Sequence, residues 1–111
     1  MKKIILSLLC LLVISTASNP TSARPKIKTG IEVLKSQQFK ILQGKRVGLI
    51  TNPTGVDNDM RSTIDLLYNA PGVKLVALYG PEHGVRGNIY AGASVQDNID
   101  PTTGLPVYSL Y

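Results

Sequence analysis

The apolar positions of the chain fall into patterns that change abruptly along its length. Behind Met1-Lys2-Lys3, residues 4–14 form an almost unbroken apolar run followed by a small, polar stretch over residues 15–23. The run is shorter than the roughly 20 apolar residues that span a bilayer. A basic start, an apolar centre and a small-residue end predict a secretory signal peptide over residues 1–23, with no anchor left in the mature chain. Cleavage fits after Ala17, with Ser15 two positions earlier, or after Ala23, with Thr21. Ile31, Val33 and Leu34, then Phe39, Ile41 and Leu42, have the spacing of one or two short amphipathic helices, with Ser36 a candidate cap for the second and Gly44 a stop. Val47-Gly48-Leu49-Ile50 is a brief apolar run that leaves through the turn-rich Thr51-Asn52-Pro53-Thr54-Gly55, which predicts a buried strand and a loop. Ser62 or Thr63 can cap a helix carrying Ile64, Leu66, Leu67 and Tyr68, ended by Asn69-Ala70-Pro71-Gly72. Residues 73–79 read as a second buried strand. A long loop over residues 80–106 leads to a third, over residues 107–111.

Strand, helix and strand within about 33 residues make a βαβ unit, whose parallel strands open their following loops on one edge of the sheet. That edge, beyond the carboxyl ends of the strands, is where open α/β folds bind ligands. The expected fold is therefore α/β, a Rossmann-like parallel sheet with flanking helices. Three strands with one crossover helix cannot cover both faces of such a sheet. Residues 30–111 thus read as the amino-terminal portion of a larger domain, truncated after the third strand.

Composition narrows the compartment and the partners. The single cysteine, Cys10, lies inside the apolar run behind Leu9, where a lipoprotein signal would want a small residue, so neither a lipid anchor nor a disulfide is expected in the mature chain. The formal charge of +5 includes Lys2 and Lys3. Without them, ten basic residues face seven acidic ones, and several of the ten lie in a basic lead-in over residues 24–29. Nucleic-acid binding would want a basic stripe interleaved with aromatics, which is missing. Export to the periplasm or the exterior is the expected location.

Chemistry concentrates in Gly80-Pro81-Glu82-His83-Gly84-Val85-Arg86-Gly87, at the ligand-binding edge. This stretch places a carboxylate, the chain's one histidine and an arginine within five positions, and its three glycines let the backbone turn sharply and approach a ligand. As alternatives, the glycines serve turns alone and Glu82 with Arg86 forms a surface pair. Asn52 and Thr54 add amide and hydroxyl groups from the neighbouring loop. One histidine without cysteines does not make a zinc site, and no Gly-x-Gly-x-x-Gly follows the first strand, so neither a metal nor a nucleotide cofactor is implied.

Residues 44–55 (Gly-Lys-Arg-Val-Gly-Leu-Ile-Thr-Asn-Pro-Thr-Gly), residues 79–87 (Tyr-Gly-Pro-Glu-His-Gly-Val-Arg-Gly), Ala91-Gly92 and residues 100–111 (Asp-Pro-Thr-Thr-Gly-Leu-Pro-Val-Tyr-Ser-Leu-Tyr) occur in the order found in the exo-β-N-acetylmuramidase family. The chain resembles the amino-terminal part of that family from about Gly30 onward. The resemblance implies a Rossmann-like first domain beside a smaller second one, and removal of N-acetylmuramic acid from the non-reducing ends of peptidoglycan fragments. It also implies a catalytic role for the glutamate of the Gly-Pro-Glu-His-Gly loop, here Glu82, next to His83. Glycoside cleavage needs such an acid to protonate the leaving oxygen. On that footing, His83 orients Glu82 or contacts substrate, Asn52 and Thr54 bind the sugar, and Arg86 pairs with the lactyl carboxylate of muramic acid. For a second catalytic group the candidates are Asp97, Asp100, a residue beyond Tyr111 or the substrate's own 2-acetamido group. Two rivals stand beside the enzyme: a non-catalytic muropeptide-binding envelope protein, and an inactive fragment.

Overall fold

A computed structural model describes residues 27–94 and 96–110; the expected signal peptide and the first half of the basic lead-in lie outside them. The chain runs through α1 (Gly30–Ser36), a 3-10 turn (Lys40–Leu42), β1 (Arg46–Ile50), α2 (Thr63–Tyr68), β2 (Lys74–Gly80), β3 (Asn98–Ile99) and β4 (Pro106–Ser109). The four strands form one sheet in the order β1-β2-β4-β3. β1 and β4 both pair in parallel with β2, and β3 runs antiparallel along the outer edge of β4. The expected α/β class holds, with a mostly parallel sheet and its helices alongside.

Local chemistry sets the element ends. Ser62 caps α2, its hydroxyl accepting from Ile64 N at 3.2 Å, which satisfies an amide with no partner inside the helix. The helix ends at Tyr68 with Asn69 as its cap, and Gly72, in the turn before β2, takes φ +76, where a side chain is disfavoured. Ser36 does not cap a second helix as expected. It is the last residue of α1 and its hydroxyl donates to Val33 O, while Phe39 turns into the left-handed region and only a 3-10 turn follows. The third strand comes as β4, Pro106–Ser109, and the loop ahead of it contains the short strand β3, which the sequence pattern did not predict. Two residues are too few to show an alternation.

One face of the sheet carries the core. Ile64 and Leu67 of α2 pack with Leu75 and Leu78 of β2, Val107 of β4 and Phe39, and Ile31 and Leu34 bring α1 against the same cluster. Ile64, Leu78 and Val107 are almost wholly buried, each stabilising the fold by about 1.5–3 kcal/mol relative to exposure. Side chains on a strand alternate, so the opposite face holds Ile50, Tyr79 and Tyr108, which are register partners across the three strands. The two tyrosine rings lie 5.5 Å apart, and Tyr79 lies over Gly48 so closely that a Cβ there would come within 2.9 Å of its ring.

Candidate active site

Three segments meet at the carboxyl edge of the sheet. The first is the loop after β1. Asn52 Oδ1 accepts from Thr54 N at 3.1 Å and from Thr54 Oγ1 at 2.8 Å, and Gly55 N donates to Asn52 O. This side-chain-closed turn holds Asn52 and Thr54 at the surface. The Asn52 amide NH2 has no protein partner among the described residues. The Thr54 proton is committed to Asn52, which leaves the hydroxyl oxygen as an acceptor.

The second segment is the loop after β2. Gly80 closes the strand by accepting from Leu110 N at 2.9 Å, and Gly84 N donates to Pro81 O at 3.3 Å, closing a turn over Pro81-Glu82-His83-Gly84. His83 occupies the third position of that turn at φ +68, where a type II turn requires positive φ and glycine is usual. Glu82 and His83 stand exposed at the apex, and neither side chain has a protein partner among the described residues. Behind them the loop is anchored: Val85 is buried in the core cluster, and a Cβ on buried Gly84 would crowd Ile89 and Asn88 at 3.1 and 3.2 Å. A Cβ on Gly87 would lie 2.9 Å from Pro53 Cγ, so the first two loops are in contact. That contact brings the Asn52 turn beside the Glu82 turn.

The third segment is the return stretch around β3. Asp97 Oδ1 accepts from Ser109 N at 2.8 Å, and Ser109 is the register partner of Gly80. Asp97 is exposed at the same edge as Glu82. Asp100 is instead 1 % exposed, accepting from Thr103 N at 3.0 Å and from Thr103 Oγ1 at 2.6 Å. It also receives Arg86, with Nε to Oδ1 at 2.5 Å and Nη2 to Oδ2 at 2.9 Å. The Arg86 guanidinium, Thr103 and its own burial act together on Asp100; the arginine dominates and lowers the carboxyl pKa to about 2. Turn chemistry and ion pairing are thus both present at Asp100, and burial removes it from contact with a substrate.

Arg86 does not pair with Glu82. Besides Asp100 it holds Asp65 of α2, with Nη2 to Oδ1 at 2.9 Å and Nη1 to Oδ2 at 3.4 Å. Four hydrogen bonds from a group with five N–H donors leave little for a ligand. The expectation that Arg86 meets a substrate carboxylate gives way to a role inside the protein. Sequence reading missed Asp65, which sits among the apolar positions of its helix like any solvated residue. A cavity of about 650 Å³ between Lys35, Phe39, Gln43 and Pro71 lies at the opposite, amino end of the strands, away from every one of these groups. Among the described residues, no group of three or more His, Cys, Asp or Glu side chains could hold a metal ion, and no helix is long and apolar enough to cross a membrane.

An exposed carboxylate on a glycine-rich loop, at the carboxyl edge of a mostly parallel Rossmann-like sheet, defines an α/β protein with a candidate ligand site in the usual place for such folds. Residues 47–111 match the family model described as "Exo-beta-N-acetylmuramidase NamZ, N-terminal", and the chain belongs to that family. It is 54% identical over 95 residues to the peptidoglycan β-N-acetylmuramidase NamZ of Bacillus subtilis (strain 168), which covers 86% of this chain and 23% of that protein. Crystal structures of two DUF1343-family proteins from Bacteroides fragilis NCTC 9343 share the fold. One has a TM-score of 0.69 at 68% identity, covering 80% of this chain and 21% of that one. The other has a TM-score of 0.59 at 34% identity, covering 77% and 21%. The chain therefore spans between a fifth and a quarter of the length of these relatives.

Proposed function

We propose that the natural protein carrying this sequence is a glycoside hydrolase that removes N-acetylmuramic acid from the non-reducing ends of peptidoglycan fragments. The observation that carries this reading is the placement of Glu82. In a chain belonging to the exo-muramidase family, it stands unpartnered among the described residues at the apex of a rigidly based turn, beside a second turn that presents amide and hydroxyl groups. Glu82 acts as the general acid that protonates the leaving oxygen. His83, next to it on the same turn, contacts the substrate or steadies the carboxyl. The Asn52 amide donates to a sugar oxygen and Thr54 Oγ1 accepts from a sugar hydroxyl. Asp97, exposed at the same edge, is better placed than buried Asp100 to serve as a second carboxylate.

Two disaccharides test the reading, one with N-acetylmuramic acid at its non-reducing end and one with N-acetylglucosamine there. The first should yield free N-acetylmuramic acid and the second should stay intact. Cleavage of both at similar rates would contradict an enzyme that recognises terminal muramic acid. We also propose export, with service in cell-wall turnover, on the strength of the basic-apolar-small pattern over residues 1–23. The protein recovered from culture should then begin at Ser18 or Arg24 by mass spectrometry. A chain that keeps Met1 and stays in the cytoplasm would contradict export.

A further inference from the structure

Arg86 joins three parts of the chain that are far apart in sequence. It belongs to the Glu82 loop, Asp65 to the middle of α2, and Asp100 to the turn that follows β3. The arginine side chain is 24% exposed and Asp100 1%, so the pair between them is largely shielded from water. A shielded ion pair adds little stability over an apolar replacement of similar volume, because desolvating both charges offsets their attraction. Val85, next in the chain, already supplies apolar anchoring at this point. What a forked, charge-assisted arrangement adds is direction, since the planar guanidinium meets each carboxylate in one orientation. The loop needs that constraint, for Gly80, Gly84 and Gly87 would otherwise let it explore many conformations.

We propose that Arg86, gripped between Asp65 and Asp100, is a positioning residue that fixes the Pro81–Gly84 turn so that Glu82 meets the bond to be cleaved. The proposal rests on the functional reading above and adds residues to it. None of the three touches the substrate; they act through the loop backbone. Disturbing the grip lets Glu82 wander by an ångström or so, which lowers the rate of the chemical step far more than it weakens substrate binding.

The test uses the full natural protein and two variants, Asp65→Asn and Arg86→Ala. The first keeps the shape of the side chain and removes one charge from a partly exposed position, so it should fold even if the second does not. In Asp65→Asn, kcat should fall by about 10- to 100-fold while KM stays within about threefold. Amide hydrogen exchange at residues 82–86 should accelerate at least about tenfold, with the amides of β2 unchanged. A kcat within about twofold of the native value would overturn the proposal. So would faster exchange spread over β2 as well, since that would mark the cluster as a general stabiliser. A native protein that releases no N-acetylmuramic acid would defeat the functional reading instead. The exchange measurement would then decide the clamp alone: acceleration confined to the loop upholds it, and no acceleration overturns it.

Discussion

His83 holds its backbone at φ +68, in a region that costs an ordinary side chain about 1–2 kcal/mol. A residue kept there at the apex of a candidate catalytic turn is strained where the chemistry is expected. The histidine is tolerable because its flat ring branches only beyond Cβ, whereas valine would clash. His83→Val should therefore lower the unfolding free energy by about 1–2 kcal/mol, and His83→Gly should leave it nearly unchanged, as read by urea denaturation. Equal losses in the two variants would show that the side chain, not the backbone, supplies the effect. Asp100 makes a prediction in pH. Its folded pKa of about 2, set first by Arg86 and then by Thr103 against the opposing effect of burial, lies below the ordinary value of 3.8. Its contribution to stability is therefore complete above about pH 4 and is lost as the pH falls toward 2. Asp57 behaves in the same direction. Burial opposes its charge, but hydrogen bonds from Arg61 N, Lys35, the Arg61 side chain and Asp59 N outweigh that and hold it well below the usual range. Asp100→Asn should flatten part of the acid limb of a stability-against-pH curve and leave the share of Asp57 in place. An unchanged limb would contradict the pairing of Asp100 with Arg86.

At the scale of the element, the two loops at the carboxyl edge depend on one close approach. Gly87, at φ +76, lets the Glu82 loop lie against Pro53 of the Asn52 turn. Gly87→Ala adds a methyl at 2.9 Å from the proline ring and a strained backbone, so it should separate the turns and lower activity by about tenfold or more while the core survives. Native activity in that variant would mean that the Asn52 turn does not share the site. Core packing responds differently: Leu78→Ala, at a fully buried position of β2, should cost about 2–5 kcal/mol of stability. The apolar runs at Val47 and Val73, and the cap at Ser62, made β1, β2 and α2 legible, but only β2 is the buried strand expected: β1 lies at the edge of the sheet, its residues half-buried or exposed in alternation. The same reasoning found Glu82, His83, Asn52 and Thr54 as residues on the loops after two parallel strands. It could not find the grip on Arg86, because Asp65 and Asp100 come near that arginine only once the helix and the return loop have folded. Nor could it find β3, whose pairing with β4 is a product of the sheet and not of a two-residue sequence.

For the molecule as a whole, function depends on which end of the sheet is used. The amino end has a cavity between Lys35, Phe39 and Pro71, yet its lining offers amides and ammonium groups and no carboxylate that could act on a glycosidic bond. The carboxyl end gathers Glu82, His83, Asn52, Thr54 and Asp97 on three converging segments, with Arg86 holding the central one in place. The central claim is that Glu82 performs the chemistry. Its most direct test is release of free N-acetylmuramic acid from a terminal muramic disaccharide by the natural protein and by its Glu82→Gln variant, with circular dichroism and melting temperature confirming that both fold. The account predicts a loss of about a thousandfold or more in kcat for the variant, an undiminished melting temperature and retained binding of the disaccharide. A correctly folded Glu82→Gln protein that releases the sugar at a rate close to native would contradict it.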